Sequence, residues 1–359
     1  MKVIVVGAGI AGCAIAYELA RRGAQVHVLD GRAPGRGATF ASAGILAPAV
    51  EGHNPELLHL TSCSLAAYDD FIRRVRDDSG LDVDYARNGT VQVAFTPQQS
   101  AELEQNARRF ASTGVAHALL DGDAAREVEP ALSASVMTAL RLPTQGYVSA
   151  EQLIAALAQA ARHRGAVFAT AHADRVEGGA GGAAVFIAGD RIDADAVVVA
   201  SGSWPVAEQP GPVKPIRGQL LHLRVDEAIA AHVLWGPDCY VVPWRDRTVL
   251  VGATVEDVGF DERATVEGVR SLLTAAVHMV PSLDRAGFKE VRVGLRPKTE
   301  DELPAIGRSS TMPHVFHATG LYRNGILLAP LTASLVADLV LDGREREELA
   351  MVRPARLGL

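Results

Sequence analysis

Six residues near the start of the chain, Gly7-Ala8-Gly9-Ile10-Ala11-Gly12, have the spacing G-x-G-x-x-G, and their flanks constrain the fold more than any other feature. Before them runs Lys2-Val3-Ile4-Val5-Val6, an apolar, β-branched stretch of the kind found in parallel strands buried on both faces. After them Ala11, Ala14, Ile15 and Leu19 recur at helical spacing and Gly23 supplies a stop, which predicts a helix over 10–22. A second strand over 25–29 leads to Asp30. Together these pieces make a βαβ unit of about 30 residues. In such a unit Gly7 permits the tight turn, Gly9 lets backbone approach a pyrophosphate, and Gly12 allows helix to pack closely on strand. The first N–H groups of the helix are offered to phosphates, and Asp30, 18 residues beyond Gly12, can accept hydrogen bonds from a ribose diol. The motif predicts a dinucleotide site, and alone it suits NAD as well as FAD.

The remaining pattern sets the architecture. Apolar residues Leu57, Leu58, Leu65, Phe71 and Val75 predict a helix over 54–78, and the alternation of 89–95 predicts a half-exposed strand of an antiparallel sheet. Helices are expected over 101–110 and 121–129, and an amphipathic one over 149–164, with Ser149 as N-cap and Gln152 placed for the reciprocal contact of a capping box. Strands follow near 166–170, 183–188 and 196–200, the last running into Ser201-Gly202-Ser203, so its carboxyl end is expected against a ligand. Short β patterns at 219–225, 240–243 and 248–252 precede a final helix over 331–341 and a charged tail. Parallel-sheet signals occupy the beginning, middle and end, while antiparallel signals fill the gaps. The expected fold class is therefore α/β (α+β overall). A discontinuous dinucleotide-binding domain of residues 1–86, 146–215 and 291–359 is expected, with an antiparallel-sheet substrate domain of residues 87–145 and 216–290.

Composition excludes several functions. A net charge of −7 leaves no electrostatic footprint for nucleic acid or an anionic membrane surface. No run reaches the roughly 18 uncharged apolar residues of a transmembrane helix, and the N-terminus reads as a strand rather than a signal peptide. Cys13, Cys63 and Cys239 form no C-x-x-C, so neither a disulfide framework nor a thiolate metal site is indicated. A cytoplasmic setting is expected. Cys13 reads as a small core hydrophobe, and His314 and His317, despite a loose metal-like spacing, as loop residues. His53 and His59, which flank a helix start, receive no role.

Directly after the βαβ unit comes Gly37-Ala38-Thr39-Phe40-Ala41-Ser42-Ala43-Gly44-Ile45-Leu46-Ala47-Pro48, which resembles the flavin-contacting loop of the D-amino-acid oxidase superfamily, most of all its glycine oxidases of thiamine biosynthesis. Tyr240-Val241-Val242-Pro243, Val251-Gly252-Ala253-Thr254 and Gly294-Leu295-Arg296-Pro297 resemble the family's substrate-domain signatures in the same order. The stretch from Gly320 to Pro330 (GLYRNGILLAP) is similar to its C-terminal flavin loop.

The resemblance implies FAD, held noncovalently because no cysteine follows Cys239, where sarcosine oxidases carry the one that attaches flavin. It places FAD contacts at Gly7, Gly9, Ile10, Ala11 and Gly12, at Asp30 and Gly31 on the ribose, and at Ala38 and Thr39 leading into the flavin loop. Ala43, Gly44 and Ile45 would line the ring, Ala173 would meet adenine, and Leu321, Tyr322, Arg323, Asn324, Gly325, Ile326 and Leu327 would complete the site. For the substrate it implies Arg296 on the carboxylate, where a planar guanidinium makes two parallel hydrogen bonds, with the Tyr240 hydroxyl beside it and Arg323 as a second arginine. The implied reaction passes hydride from the α-carbon of a small amino acid to flavin N5, after which the imine is hydrolysed and molecular oxygen becomes hydrogen peroxide. No catalytic acid, base or nucleophile is needed, and the family also implies a homo-oligomer. Asp238, where glycine oxidases can carry His, and Leu321-Tyr322, where a His-aromatic pair can occur, depart from the pattern and bear on substrate identity. A D-amino-acid dehydrogenase, a sarcosine-type oxidase and a noncatalytic flavin-binding subunit are the alternatives.

Overall fold

A computed structural model describes residues 1–51, 55–206 and 211–359; His53 and Asn54 lie outside them. Its first sheet has six strands in the order Ala305–Arg308, Val315–Thr319, Ala196–Val199, Lys2–Val6, Gln25–Asp30 and Val167–Thr170. Every pairing is parallel except that of Ala305–Arg308 with Val315–Thr319. The continuous apolar run at the N-terminus has a direct cause. Val3 and Val5 pack into the core made with the helices, while Ile4 and Val6 pack on the opposite face against the antiparallel ribbon Arg175–Gly179, Gly182–Ile187 and Asp190–Ala194. Helix Ile10–Arg21 lies against Ala150–His163 and Gly325–Leu341.

The second sheet runs Gly287–Lys298, Lys214–Arg224, Thr248–Gly252, Tyr240–Pro243, Val233–Trp235, Thr90–Ala94, Thr138–Leu142 and Ala118–Asp121. It is antiparallel apart from the parallel pairing of Val233–Trp235 with Thr90–Ala94. The expectation of a half-exposed strand at 89–95 is corrected, since all of Thr90–Ala94 is buried. Helix Pro97–Thr113 explains this. Its Leu103, Ala107 and Phe110 cover Ala94, Leu140 and Leu142, while Val91 and Val93 face a separate core with Leu221, Val241 and Leu272.

Three helix expectations also change. The stretch over 54–78 divides into Pro55–Ala66 and Tyr68–Ser79, and the final helix begins at Gly325 with Pro330 inside it. Proline has no N–H, so the Ile326 carbonyl four residues earlier loses its helical donor. The Tyr68 hydroxyl donates to that carbonyl at 2.6 Å, and the Ser64 hydroxyl donates to the Leu327 carbonyl at 2.7 Å. Tyr68, just past the break at Ala67, thus makes good the donor that Pro330 removes, while Ser64, before the break, also accepts from Leu331 N at 3.4 Å. At Ser149 the N-cap forms, with its hydroxyl accepting from Gln152 N, but the capping box does not close. Ser149 N donates to Asp84 O at 2.7 Å, and Gln152 Oε1 accepts from Asp84 N at 2.5 Å, so both groups tie the helix to a neighbouring segment. The charged tail folds back, burying Leu349 and Val352 and accepting a hydrogen bond from Ile306 N to Val352 O. No helix among the described residues is long and apolar enough to cross a membrane.

Candidate active site

The carboxyl ends of the central parallel strands open on a cavity of about 730 Å³. Gly7, at φ +106°, makes the turn out of the first strand, where a Cβ would stand 2.3 Å from the Ala200 carbonyl oxygen. A Cβ on Gly12 would lie 1.8 Å from Gly7 O, so Gly12 acts in helix packing and does not line the cavity. A Cβ at Gly9 would meet only Thr39 Oγ1, at 3.6 Å, which leaves a bare floor. Gly9 also has no side chain to cap the helix. Thr39 supplies the cap from the next loop, its Oγ1 accepting from Ile10 N at 3.0 Å. Asp30 has a bracing role that spacing did not reveal, with Oδ2 accepting from Ala8 N at 2.7 Å and Oδ1 from Arg32 N at 2.8 Å.

Around this floor the cavity gathers Ile10, Ala11, Gly31, Ala38, Ala43, Gly44, Ile45 and Ala173, together with Leu321, Tyr322, Arg323, Gly325 and Ile326. Of the residues expected on FAD, Gly12, Asn324 and Leu327 stand outside the lining. Asn324 is the buried residue preceding the last helix, whose first turn carries Gly325 and Ile326 to the cavity. Tyr322 adopts φ +46° and donates its N–H to Pro297 O at 2.9 Å, while Arg323 is exposed with its guanidinium over the Tyr322 ring at 5.1 Å.

Arg296 and Tyr240 reach the same cavity from the second sheet. Arg296 Nη1 donates to the carbonyls of Thr254 at 3.0 Å and Arg217 at 3.5 Å, and no carboxylate among the described residues pairs with it. Two glycines make room for these side chains. A Cβ on Gly218 would stand 2.2 Å from Arg296 Nη1, and one on Gly252 would stand 2.5 Å from the Tyr240 hydroxyl. Trp235 leans on the Tyr240 ring with centroids 5.3 Å apart. Cys239 lines the cavity as well, its thiol pushed up to about 12 by burial and by Asp238.

Sequence reasoning missed Arg32, His172, Trp204, Trp235 and Val255 in the lining. For Ser201 and Gly202 a signal existed, namely a strand running into small residues at a sheet's carboxyl end. The tryptophans had none, because each arrives through tertiary contact. His317 is corrected from loop to strand, and its burial lowers the imidazole pKa to about 4. Cys13 is fully buried, its Sγ 3.4 Å from Ala8 O and its pKa raised to about 12 by burial, which suits a core residue.

A bare glycine floor at a helix N-terminus, a carboxylate at the second strand's end and a long cavity shared with an antiparallel sheet define an oxidoreductase of the dinucleotide-binding class. Residues 2–339 match the family described as FAD dependent oxidoreductase, and the chain belongs to it. FAD is its cofactor, and the glycine cradle and the small-residue loop at 37–45 fit a pyrophosphate and a flat ring. The chain is 34% identical over 357 residues to glycine oxidase of Geobacillus kaustophilus, covering 97% of this chain and 94% of that protein. It is 35% identical over 351 residues to the bifunctional protein ThiO/ThiG of a Nostoc species, covering 95% of this chain but only 52% of that longer protein. Among solved structures, glycine oxidase from Geobacillus kaustophilus superposes with a TM-score of 0.94 at 32% identity over 99% of both chains.

Proposed function

We propose that the chain oxidises glycine or a similarly small amino acid at its carbon–nitrogen bond, using noncovalently bound FAD and molecular oxygen. The observation that carries this reading is Arg296, a guanidinium seated by two backbone carbonyls, without a carboxylate partner among the described residues, on the cavity that the glycine cradle also lines. With Nη1 so engaged, the other guanidinium N–H groups receive the substrate carboxylate, and the Tyr240 hydroxyl adds a further hydrogen bond. That orientation is the protein's contribution, since a fixed carboxylate fixes the α-carbon. FAD, held by the glycine cradle and the 37–45 loop, would supply the two-electron redox chemistry between the α-carbon and oxygen, and hydrolysis of the resulting imine would give the oxo acid and ammonia. Arg323 is assigned to the outer rim of the site. Glycine gains support from the likeness to Geobacillus kaustophilus glycine oxidase in both sequence and structure, and a role in thiamine biosynthesis, a cytoplasmic location and a homo-oligomer belong to the same reading. So does the division into cofactor segments 1–86, 146–215 and 291–359 and substrate segments 87–145 and 216–290.

The test is the visible spectrum of the anaerobic protein before and after glycine. Bleaching of an oxidised-flavin spectrum, followed by oxygen consumption in air, is expected. A flavin spectrum unchanged by glycine and by small D-amino acids would sink the reading in favour of a noncatalytic flavoprotein. Bleaching without oxygen uptake would replace the oxidase by a dehydrogenase.

A further inference from the structure

Buried polar clusters stand at several places among the described residues. Asp338 with Arg22 and Arg344 sits at the carboxyl end of the last helix. Glu129 with His232 holds a turn of the second sheet. A third cluster meets the active site, and it starts from the seat of Arg296.

The two carbonyls that accept from Arg296 Nη1 belong to Thr254 and Arg217, and both residues are held by one carboxylate, that of Glu256. Glu256 Oε1 accepts from Thr254 Oγ1 at 2.6 Å and from Gln219 Nε2 at 2.7 Å, while Oε2 accepts from Arg217 Nη2 at 2.5 Å and Nε at 3.2 Å. The backbones are joined in the same place. Arg217 N donates to Glu256 O at 2.8 Å, Glu256 N returns the bond at 3.0 Å, and Gln219 N donates to Thr254 Oγ1 at 2.9 Å. Asp261 closes the far side of Arg217 at 2.9 Å. Arg217 is 4% exposed and Gln219 fully buried, so the links are shielded from water on the protein side.

We infer that Glu256 is a positioning residue for substrate binding, which, acting through Thr254 and Arg217, holds the two carbonyls that aim Arg296 into the cavity. This rests on the reading of Arg296 as the carboxylate anchor. Two physical reasons favour it over a purely structural role. A carbonyl pair fixed in space engages one arm of a planar guanidinium and so sets the direction of the other, which a hydrogen bond to a mobile loop would not do. Arg217 and Asp261 also form a charge cluster with Glu256. With its carboxylate saturated by Arg217, Thr254 and Gln219, Glu256 has little left to offer Arg296, whose charge stays available for a ligand. Burial would raise the Glu256 pKa, but those hydrogen bonds prevail and hold it below the usual carboxylate range.

The test uses the FAD-loaded protein and acetate, a carboxylate with no amine to oxidise, titrated by the perturbation of the flavin spectrum. Glu256→Gln keeps the shape but removes the charge opposite Arg217 and sets an amide donor among donors, and it is expected to raise the acetate Kd and the glycine KM together, by roughly ten- to a hundredfold. Flavin content and kcat are expected to stay as they are. Thr254→Val, which removes one hydroxyl and keeps the carbonyl, is expected to act in the same direction more weakly, and it decides the matter if Glu256→Gln fails to fold. Arg296→Ala separates the two ideas. If it abolishes acetate binding while the other two variants leave the acetate Kd unchanged, the positioning role is overturned and the anchor stands. If Arg296→Ala leaves acetate binding intact, the anchor itself is wrong and the positioning role falls with it. A loss confined to kcat in Glu256→Gln also overturns it.

Discussion

The two ends of the cavity are built from different materials. At the cofactor end the floor is backbone and very small side chains, with Gly7, Gly9, Ala11, Ala38 and Gly44 among them. At the substrate end the walls are large polar and aromatic side chains, Arg296, Tyr240 and Trp235, carried by an antiparallel sheet. A floor of backbone works by the absence of atoms, so it should fail abruptly when one is added. A wall of side chains works by donor geometry, so it should keep its cofactor and fold while losing its ligand.

Gly12→Ala tests the first half and has the largest expected effect. The added Cβ would stand 1.8 Å from Gly7 O, a backbone atom that moves only if the turn opens. A cost of about 3 kcal/mol or more follows from such overpacking, and the expected outcome is protein without flavin absorbance, even though Gly12 itself does not line the cavity. Arg296→Ala tests the second half. Loss of a buried carboxylate contact is expected to lower kcat/KM by about 4 kcal/mol, roughly a thousandfold, with flavin content unchanged. If Gly12→Ala retained FAD, or Arg296→Ala lost it, the contrast would not hold.

The same contrast explains what could be read beforehand. Glycines at fixed offsets, a strand before them and an acid after them are local features, so the cradle was legible in thirty residues. Gly12 reads both as a packing residue and as an FAD contact, and only the packing is seen, while the bracing of the turn by Asp30 through Ala8 N and Arg32 N was not foreseen, since it depends on how the loop returns. The substrate end was reached only by resemblance. Arg296 has Leu295 and Pro297 beside it in sequence, whereas its seat is made by Arg217 and Thr254, and Glu256 behind them carries no motif that spacing would reveal. The errors in helix length have the same origin. Pro330 looks like a boundary until Tyr68, far away in sequence, supplies the missing donor.

Acid should also separate His317 from Glu256. His317, in the parallel sheet, is kept neutral by burial with a pKa lowered to about 4, so below about 6.5 the unfolded chain binds a proton that the folded one refuses. Stability contributed there is expected to fall by up to about 3 kcal/mol as pH drops from 6.5 toward 4, and His317→Gln should flatten that part of a melting-temperature profile. Glu256, at the substrate end, is depressed instead, so its contribution is present above its unfolded value of 4.5 and is lost only below it. A profile flat between pH 6.5 and 4.5 would contradict the assignment to His317. Within the cofactor end, Tyr68→Phe leaves the Ile326 carbonyl without its donor and is expected to cost about 1–2 kcal/mol, read as a lower melting temperature with the glycine KM unchanged.

The smallest effect is expected where the two regions touch. Arg32 leaves the end of the second parallel strand and meets Glu262, in the loop that follows Thr248–Gly252, through two hydrogen bonds of 2.9 Å. Its guanidinium also lies 4.8 Å from the centre of the Trp204 ring, which packs against Phe260 of the same loop. Geometry alone would make this a strong clasp over the cavity that Arg32 and Trp204 line. Exposure argues otherwise. The Arg32 and Glu262 side chains are 40% and 34% exposed, and pairs so wet contribute about 0–1 kcal/mol, less at high salt. Arg32→Ala is therefore expected to shift the melting temperature by no more than a degree or two and to speed FAD release only slightly, with the difference from the parent protein shrinking as salt rises. A large, salt-independent acceleration of FAD release would show that the contact with Trp204, rather than the ion pair, joins the two ends of the site.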